Sequence, residues 1–413
     1  MDDKLQIRFL GGSSKVGSLA MLLKTKGIQF LFDYGMTPSK PPEIPMPAPP
    51  VDAMFLSHAH LDHSGMTPLL CEDDSLPIYS TDLTGIISNL LHKDSIKIAQ
   101  SEGYAKPYSS ENIGQAKQSI KPVKPGQKKQ IDDILIRFHS AGHIPGSLMF
   151  ELTASQRLLF TGDFNTIDTH LVKATKPVKC DVLCMEGTYA GRNHPKPRDE
   201  LEKDFKAKVE EVVNRGGTVI LPAFAVSRSQ EIAMILRKMG LNMWYDGMGR
   251  KVSKIFLKYD EYLRDSGELK KSLNHMNFVH SDSGRKLALD ADVIITSSGM
   301  MDGGPVLHYM SKLKDNPKNA VLLTGYQVEG TNSRRLVDEG LLDFYGVKEK
   351  VSCEVEYFDF SGHAGHDQLL DFARSCEPEK IILMHSDNRE TLRAPLEEFA
   401  EVYTPLDGEQ LVI

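Results

Sequence analysis

At 413 residues the chain is too long for one simple core and predicts two domains. A hydrophobic content of 40% and a charged content of 25% exclude a disordered or fibrous polymer. The net charge of −7 excludes a surface that is basic all over, but a local basic groove can still act inside an acidic protein. No window approaches 18 apolar residues, so no membrane span is expected. The start MDDKLQIRFLGG is acidic and enters a strand, unlike a basic-plus-apolar export signal. Five scattered cysteines, Cys71, Cys180, Cys184, Cys353 and Cys376, point to a reducing, cytoplasmic compartment rather than a disulfide scaffold.

In chain order, the N-terminal part is β-rich. "LQIRFLGG" reads as a strand, and "SLAMLLKTKGIQFLFDYG" as a strand pair turning at Thr25-Lys26-Gly27. The prolines of "PSKPPEIPMPAPP" forbid helix or ladder, so residues 38–50 form a loop. Helices are expected over Thr84–Ser101 and Ser110–Ile120, then strands in "ILIRFHS", "SLMFELTASQRLLFTGD" and "DVLCMEG". The basic run "KPVKPGQKK" reads as a solvated loop before a strand, with a phosphate track as the alternative. After about residue 190 the texture changes. Leu201, Phe205, Val209, Val212 and Val213 recur at helical spacing, and "TVILPAF" is a continuous apolar strand. Helix and strand then alternate through "AVLLTGY", as βαβ units of a mostly parallel sheet do. From Val351 the order is strand, helix, strand, helix.

Ligand chemistry gathers where strands end. "FLSHAHLDHSG" packs His58, His60, Asp62 and His63 into six residues after an apolar run. His143, Asp163, Glu186, His363 and His385 each follow a later strand, and strand ends of α/β sheets share a rim. Neutral imidazoles with a few carboxylates suit zinc and similar metals. A closed structural zinc site needs four side chains, usually including Cys. Here the histidines and aspartates exceed what one ion can use, so two ions sharing a bridging carboxylate are expected. Such pairs clamp the attacking and leaving oxygens of a displacement at phosphorus.

HAHLDH, AGH, GD, the Asp33 that ends "FLFD", "MEGTY", "FSGHAG" and "LMHSD" resemble, in order, the motifs of the metallo-β-lactamase superfamily and its β-CASP ribonuclease family. "PAFAVSRSQE", "SSGMMDGGP" and "GYQVEGTNSR" extend the likeness to the nuclease subunit of mRNA cleavage and polyadenylation machinery and its archaeal and RNase J relatives. The resemblance implies an α/β fold: an αββα sandwich at 1–190 and 351–413, with a β-CASP domain containing a mostly parallel sheet inserted at 191–350. It implies two Zn2+ per chain, one on His58, His60 and His143, the other on Asp62, His63 and His385, with Asp163 bridging and Asp33 orienting a ligand from behind. His363, Glu186 and Asp62 would be catalytic, with Glu186 holding His363 as proton donor. Arg228, Tyr326, Thr331, Arg334 and Ser386 would contact substrate, with Gln327 and Arg335 as further grips.

The implied function is hydrolysis of single-stranded RNA, internally or 5′ to 3′, in RNA processing or decay. His385 favours RNA, because DNA-repair members of the family carry an apolar residue there. A small-molecule hydrolase, a DNA nuclease and a metal-free scaffold are the alternatives. A homodimer and other RNA-processing factors are the partners the resemblance allows. Two departures stand out: Gly187 replaces the family's serine, and Gly365 replaces the carboxylate after His363, with Asp367 nearby as a substitute. The remaining histidines, including His92, His170 and His366, read as ordinary.

Overall fold

A computed structural model describes residues 4–71, 76–325 and 327–413. The chain divides into two compact units, the first made of residues up to Asp168 with Lys173–Asn193 and Gly362–Ile413, the second of Thr169–Val172 with His194–Ser361. Among the described residues no helix is long and apolar enough to cross a membrane.

The first unit holds two seven-stranded mixed sheets. One runs, in spatial order, Gln410–Val412, Gln6–Gly11, Ala20–Thr25, Ile28–Phe32, Ala53–Phe55, Ile78–Ser80, Ile120–Pro122. The other runs Glu401–Tyr403, Lys380–Met384, Val182–Glu186, Arg157–Phe160, Leu148–Thr153, Ile134–Ser140, Lys128–Ile131. In both, antiparallel hairpins give way to parallel pairing midway. The Thr25-Lys26-Gly27 turn forms as read, with Lys26 and Gly27 both at positive φ, the backbone of a tight hairpin turn. Leu148–Thr153 is buried on both faces. Leu148, Phe150 and Leu152 face the other sheet, while Met149 faces outward, the period-2 alternation of a strand. Phe32 from one sheet meets Phe160 and Phe150 from the other at 4.9 and 6.0 Å between ring centroids, so aromatic side chains fill the gap between sheets.

Helices cover the outer faces. His366–Cys376 and Glu390–Glu397 bury Leu369, Phe372, Leu392 and Leu396 against Leu159, Leu183, Ile381 and Leu383. Asp82–Glu102 and Ser110–Ser119 match the expected helices, the first capped by the Thr81 side chain and the second by Ser109. The lysines of 121–129 flank the open edges of both sheets and are exposed, where charge discourages edge-to-edge pairing.

The second unit carries an all-parallel sheet in the order Met276–Phe278, Met243–Asp246, Val293–Thr296, Val219–Pro222, Ala320–Leu323, Glu354–Tyr357. Its central strands are buried throughout, as helices on both faces require. Glu354–Tyr357 pairs with Ala320–Leu323, so this strand completes the second unit's sheet, and the chain returns to the first unit at Gly362.

Candidate metal centre

The site lies wholly in the first unit, where strands end. The three-residue strand Ala53–Phe55 delivers His58 and His60, and a single helical turn, Leu61–Ser64, presents Asp62 and His63. His143 follows Ile134–Ser140, Asp163 follows Arg157–Phe160, and His385 follows Lys380–Met384. His58, His63, Asp163 and His385 are fully buried or nearly so.

Each imidazole is aimed by what its back nitrogen does. His143 Nδ1 donates to the Gly362 carbonyl at 2.8 Å, which fixes the tautomer and leaves Nε2 with a lone pair. His63 Nδ1 meets Asp33 Oδ2 at 2.7 Å, and Asp33 also accepts from the Ser57 amide and hydroxyl, both at 2.7 Å. Asp33 therefore stands behind His63, held in a left-handed backbone conformation at φ 55°. The front atoms then converge. His58 Nε2 and His60 Nδ1 are 3.1 Å apart, His143 Nε2 and His60 Nδ1 3.2 Å, and Asp163 Oδ2 is 3.6 and 3.8 Å from the His58 and His143 nitrogens. Donors around a tetrahedral zinc at roughly 2.0–2.1 Å lie about 3.3–3.4 Å from one another, so this spacing fits. On the other side of Asp163, His63 Nε2 lies 3.2 Å from Oδ2 and His385 Nδ1 3.2 Å from Oδ1. Asp62 Oδ2 is 3.9 Å from His63 Nε2, and its 3.7 Å approach to His385 is to Nε2, the nitrogen that accepts the Gly17 amide. His63 Nε2 and Asp163 Oδ1 are buried without a hydrogen bond, a costly arrangement that a cation would relieve. The donor set fits a divalent metal.

Electrostatics point the same way. Burial, with the crowding of like imidazoles, pushes His58 and His143 well below the ordinary histidine value and lowers His60, which favours the neutral form that metal ligation needs. For His63, burial opposes the charge, but Asp163, Asp62 and Asp33 hold it well above the ordinary value. Burial also works against a charged Asp163, yet the surrounding imidazoles keep its carboxyl well below the usual range.

Beside this cluster sits a second pair. His363 Nδ1 bonds Glu186 Oε1 at 3.0 Å. Glu186 is itself fixed by the Phe164 amide at 3.1 Å and the Thr188 amide at 3.0 Å. The His363 ring lies between those of His143, 4.5 Å away, and Tyr189, 5.9 Å away and nearly parallel. Burial disfavours its charge, but Glu186 and then Asp163 outweigh this and push it up to about 8.

The first departure, Gly187, has a structural explanation. A Cβ on residue 187 would come within 3.0 Å of the Ser386 Cβ and Oγ, so Gly187 makes room for Ser386. Ser386 is buried there, its hydroxyl accepting the Asn388 amide at 3.2 Å. Asp367 does not reach His363. It pairs reciprocally with Asn193, at 2.8 and 2.9 Å.

The remaining expected contacts lie in the second unit. Arg228 opens the helix Arg228–Leu236 beside Phe224 and Gly325. The Thr331 hydroxyl caps the helix Asn332–Glu339 and donates to the Val328 carbonyl at 2.6 Å. Arg334 pairs with Asp338 at 2.7 Å, Arg335 bonds Asn332 at 3.1 Å, and Gln327 donates to the Gly325 carbonyl at 2.5 Å. Tyr326 lies outside the described residues.

Gly12, Gly17 and Arg389, which carried no sequence signal, complete the setting of His385. His385, at φ 50°, donates its amide to the Gly12 carbonyl and accepts the Gly17 amide at Nε2, both at 2.9 Å. The loop between those glycines is held by Arg389, whose buried guanidinium donates to the carbonyls of Ser13, Leu383, Thr404 and Pro405. His92, read as ordinary, donates to the Ser64 carbonyl at 2.9 Å behind the Asp62–His63 turn, and burial pushes it down to about 4.

Comparison with known proteins agrees with this architecture. The family description "Metallo-beta-lactamase superfamily" matches residues 14–223, "Beta-Casp domain" 229–336, and "Zn-dependent metallo-hydrolase RNA specificity domain" 348–405. The chain is 35% identical to "Probable RNase MJ4" of Methanocaldococcus jannaschii over 99% of this chain and 100% of that protein. It is 36% identical to "RNase aCSPSF2" of Saccharolobus solfataricus, over 98% of this chain and 85% of that one. A crystal structure of a protein of unknown function from Enterococcus faecalis shares the fold, with a TM-score of 0.65 at 16% identity over 99% of this chain and 100% of that one. Site geometry, sheet order and these matches together place the chain in the metallo-β-lactamase superfamily, as a member of its β-CASP branch.

Proposed function

We propose that the protein is a zinc-dependent ribonuclease that hydrolyses phosphodiester bonds of single-stranded RNA. The observation that carries this reading is the convergence of histidine and aspartate donor atoms on both sides of Asp163, two of them (His63 Nε2 and Asp163 Oδ1) buried without a hydrogen bond, with the Glu186–His363 pair alongside. His58, His60 and His143 would hold one ion and Asp62, His63 and His385 a second, with Asp163 shared between them. Bound zinc supplies Lewis acidity, polarising a phosphoryl oxygen and making water nucleophilic near neutral pH.

The chain's own groups do the rest. Asp33 and the Gly362 carbonyl keep His63 and His143 in the tautomers that face the ions. Glu186 accepts from His363 Nδ1, which leaves the proton on Nε2 free to move to the leaving ribose oxygen. A group held near 8 carries that proton at neutral pH. The products are a 5′-phosphate and a 3′-hydroxyl. Arg228 and Arg334 supply planar donors for phosphates along the strand, and we place the action in the cytoplasm, consistent with five cysteines that are all free.

The test uses zinc-loaded protein and a 3′-labelled single-stranded RNA bearing a 5′-monophosphate or a 5′-hydroxyl, with DNA of the same sequence alongside. RNA cleavage that a chelator abolishes and DNA does not support is the expected result. A ladder restricted to the monophosphate means exonuclease, and discrete internal products from both RNAs mean endonuclease. Equal cleavage of DNA, or no cleavage of any polymer, overturns the assignment.

A further inference from the structure

All five cysteines are buried and free, yet two of them are arranged differently from the rest. Cys184 faces the core between the two sheets, whereas Cys180 and Cys376 lie together in the outer core layer. The Cys180 amide donates to the Cys376 carbonyl at 3.1 Å. A main-chain bond between two residues sets their Cα atoms at about the separation a disulfide spans, roughly 4.4–6.8 Å. The flanking chain is zipped in the same register: Lys179 pairs with Glu377, and the Asp181 carbonyl accepts the amides of Glu379 and Lys380 at 3.0 and 3.1 Å. The neighbouring sulfurs act on each other's titration more than any other group does, Cys180 being raised and Cys376 lowered. Each is next in sequence to an exposed residue, Lys179 or Glu377.

We propose that Cys180 and Cys376 are a modification site, closing to a disulfide when the protein meets a hydroperoxide. Cys376 is the attacking member. Its thiol is lowered from the ordinary value by the neighbouring Cys180, with Lys179 adding to the effect, while Cys180 is raised. The Cys376 thiolate displaces hydroxide from the peroxide and becomes a sulfenic acid. The Cys180 sulfur then forms the S–S bond, its proton leaving with the sulfenic hydroxyl as water. Two thiols lose two electrons, and the peroxide gains them.

The bond has a defined place in the architecture. Cys180 lies two residues before Val182–Glu186, and Cys376 ends the helix His366–Cys376. The staple would tie the far ends of the two elements whose near ends carry Glu186 and His363, leaving that pair where it is. The expected consequence is a more stable protein with its cleavage activity kept.

The experiment treats the reduced, native full chain with a few equivalents of hydrogen peroxide. Remaining thiols are alkylated after unfolding, and peptides are mapped by mass without reduction. A Cys180–Cys376 peptide lighter by two hydrogens, removed by dithiothreitol, with the melting point raised by roughly 5 °C, is the expected result. Cys180→Ser should keep the fold, lose the linked peptide and lose the shift. Recovery of both residues alkylated, or of Cys376 as sulfinic acid without a crosslink, overturns the proposal. This readout is a covalent bond and does not depend on the protein being a nuclease.

Discussion

Among the described residues, two clusters of histidine and carboxylate stand out, a closed one that an arginine enters and an open one that no arginine enters. In the first unit, His58, His60, His143 and Asp163 turn one donor atom each toward a common point. In the second unit, His170, Glu202 and Glu231 are grouped as tightly, but Arg198 has already entered. Its guanidinium reaches Glu231 at 2.7 Å and Glu202 at 3.3 Å, and His170 Nε2 spends itself on Glu202 at 2.9 Å. The other Glu231 contacts are the amides of His170 and Leu171, both at 3.0 Å. Residue types do not distinguish the two. What differs is whether a cation is built into the covalent chain. The closed cluster pins the excursion Thr169–Val172 to its unit, and the open one gathers histidine and aspartate donors alone.

The largest expected effect comes from removing the shared carboxylate. Asp163→Asn should lower zinc content on both sides of the open cluster and cut RNA hydrolysis at least about 10³-fold, read by metal analysis and single-turnover assay. Unchanged stoichiometry would show that Asp163 serves neither side. Next is His363→Ala, expected to keep metal and RNA affinity while cleavage falls about 10²–10⁴-fold. A substrate with a sulfur leaving atom should regain much of that rate, and Glu186→Gln should show a milder form of the defect. Loss of metal in His363→Ala would instead make this histidine a ligand.

The closed cluster is tested by opening it. Arg198→Met strands two buried or half-buried carboxylates, so stability should fall by about 3 kcal/mol in chemical denaturation, with the zinc bound at Asp163 unchanged. Added zinc should recover part of the loss if the guanidinium is what closes the site. The smallest effect is a pH dependence. The Glu202 hydrogen bond holds His170 above its ordinary value, against partial burial. A raised folded value means its stabilisation is fully present below about 6.5, the unfolded value, and fades as pH climbs through the folded one. The melting-point gap between the native chain and His170→Asn should therefore be wider at pH 6 than at pH 9. A gap that widens with pH would contradict the pairing.

The open cluster was largely legible in the sequence, because its donors sit in a contiguous motif or directly at strand ends, where position along the chain predicts position in space. The closed cluster was not. Arg198 carries no local mark separating it from any helix-start arginine, and its role depends on Glu231 folding back upon it. The same holds for Gly187, whose missing side chain is intelligible only once Ser386 is seen against it. The alternation in "EVEY" announced a strand, but pairing with Ala320–Leu323 is a tertiary fact. Thr331 shows the reverse limit: a polar residue in a family segment is committed to capping its own helix.

Arg389 also sets a timetable. It joins a loop at Ser13 to the last segments of the chain, a contact spanning 376 positions, and His385 meets Gly17 across 368. At ribosomal rates of ~5–20 residues per second, the early loop waits roughly 20–75 s for these partners to be made. During that interval the histidine-rich turn at 58–63 has emerged, while the sheet edge that finishes the site does not yet exist. The second unit, encoded between them, can complete its parallel sheet meanwhile. The metal centre is thus among the last parts of the molecule to come together, and a truncated nascent chain carries the motif without the enzyme.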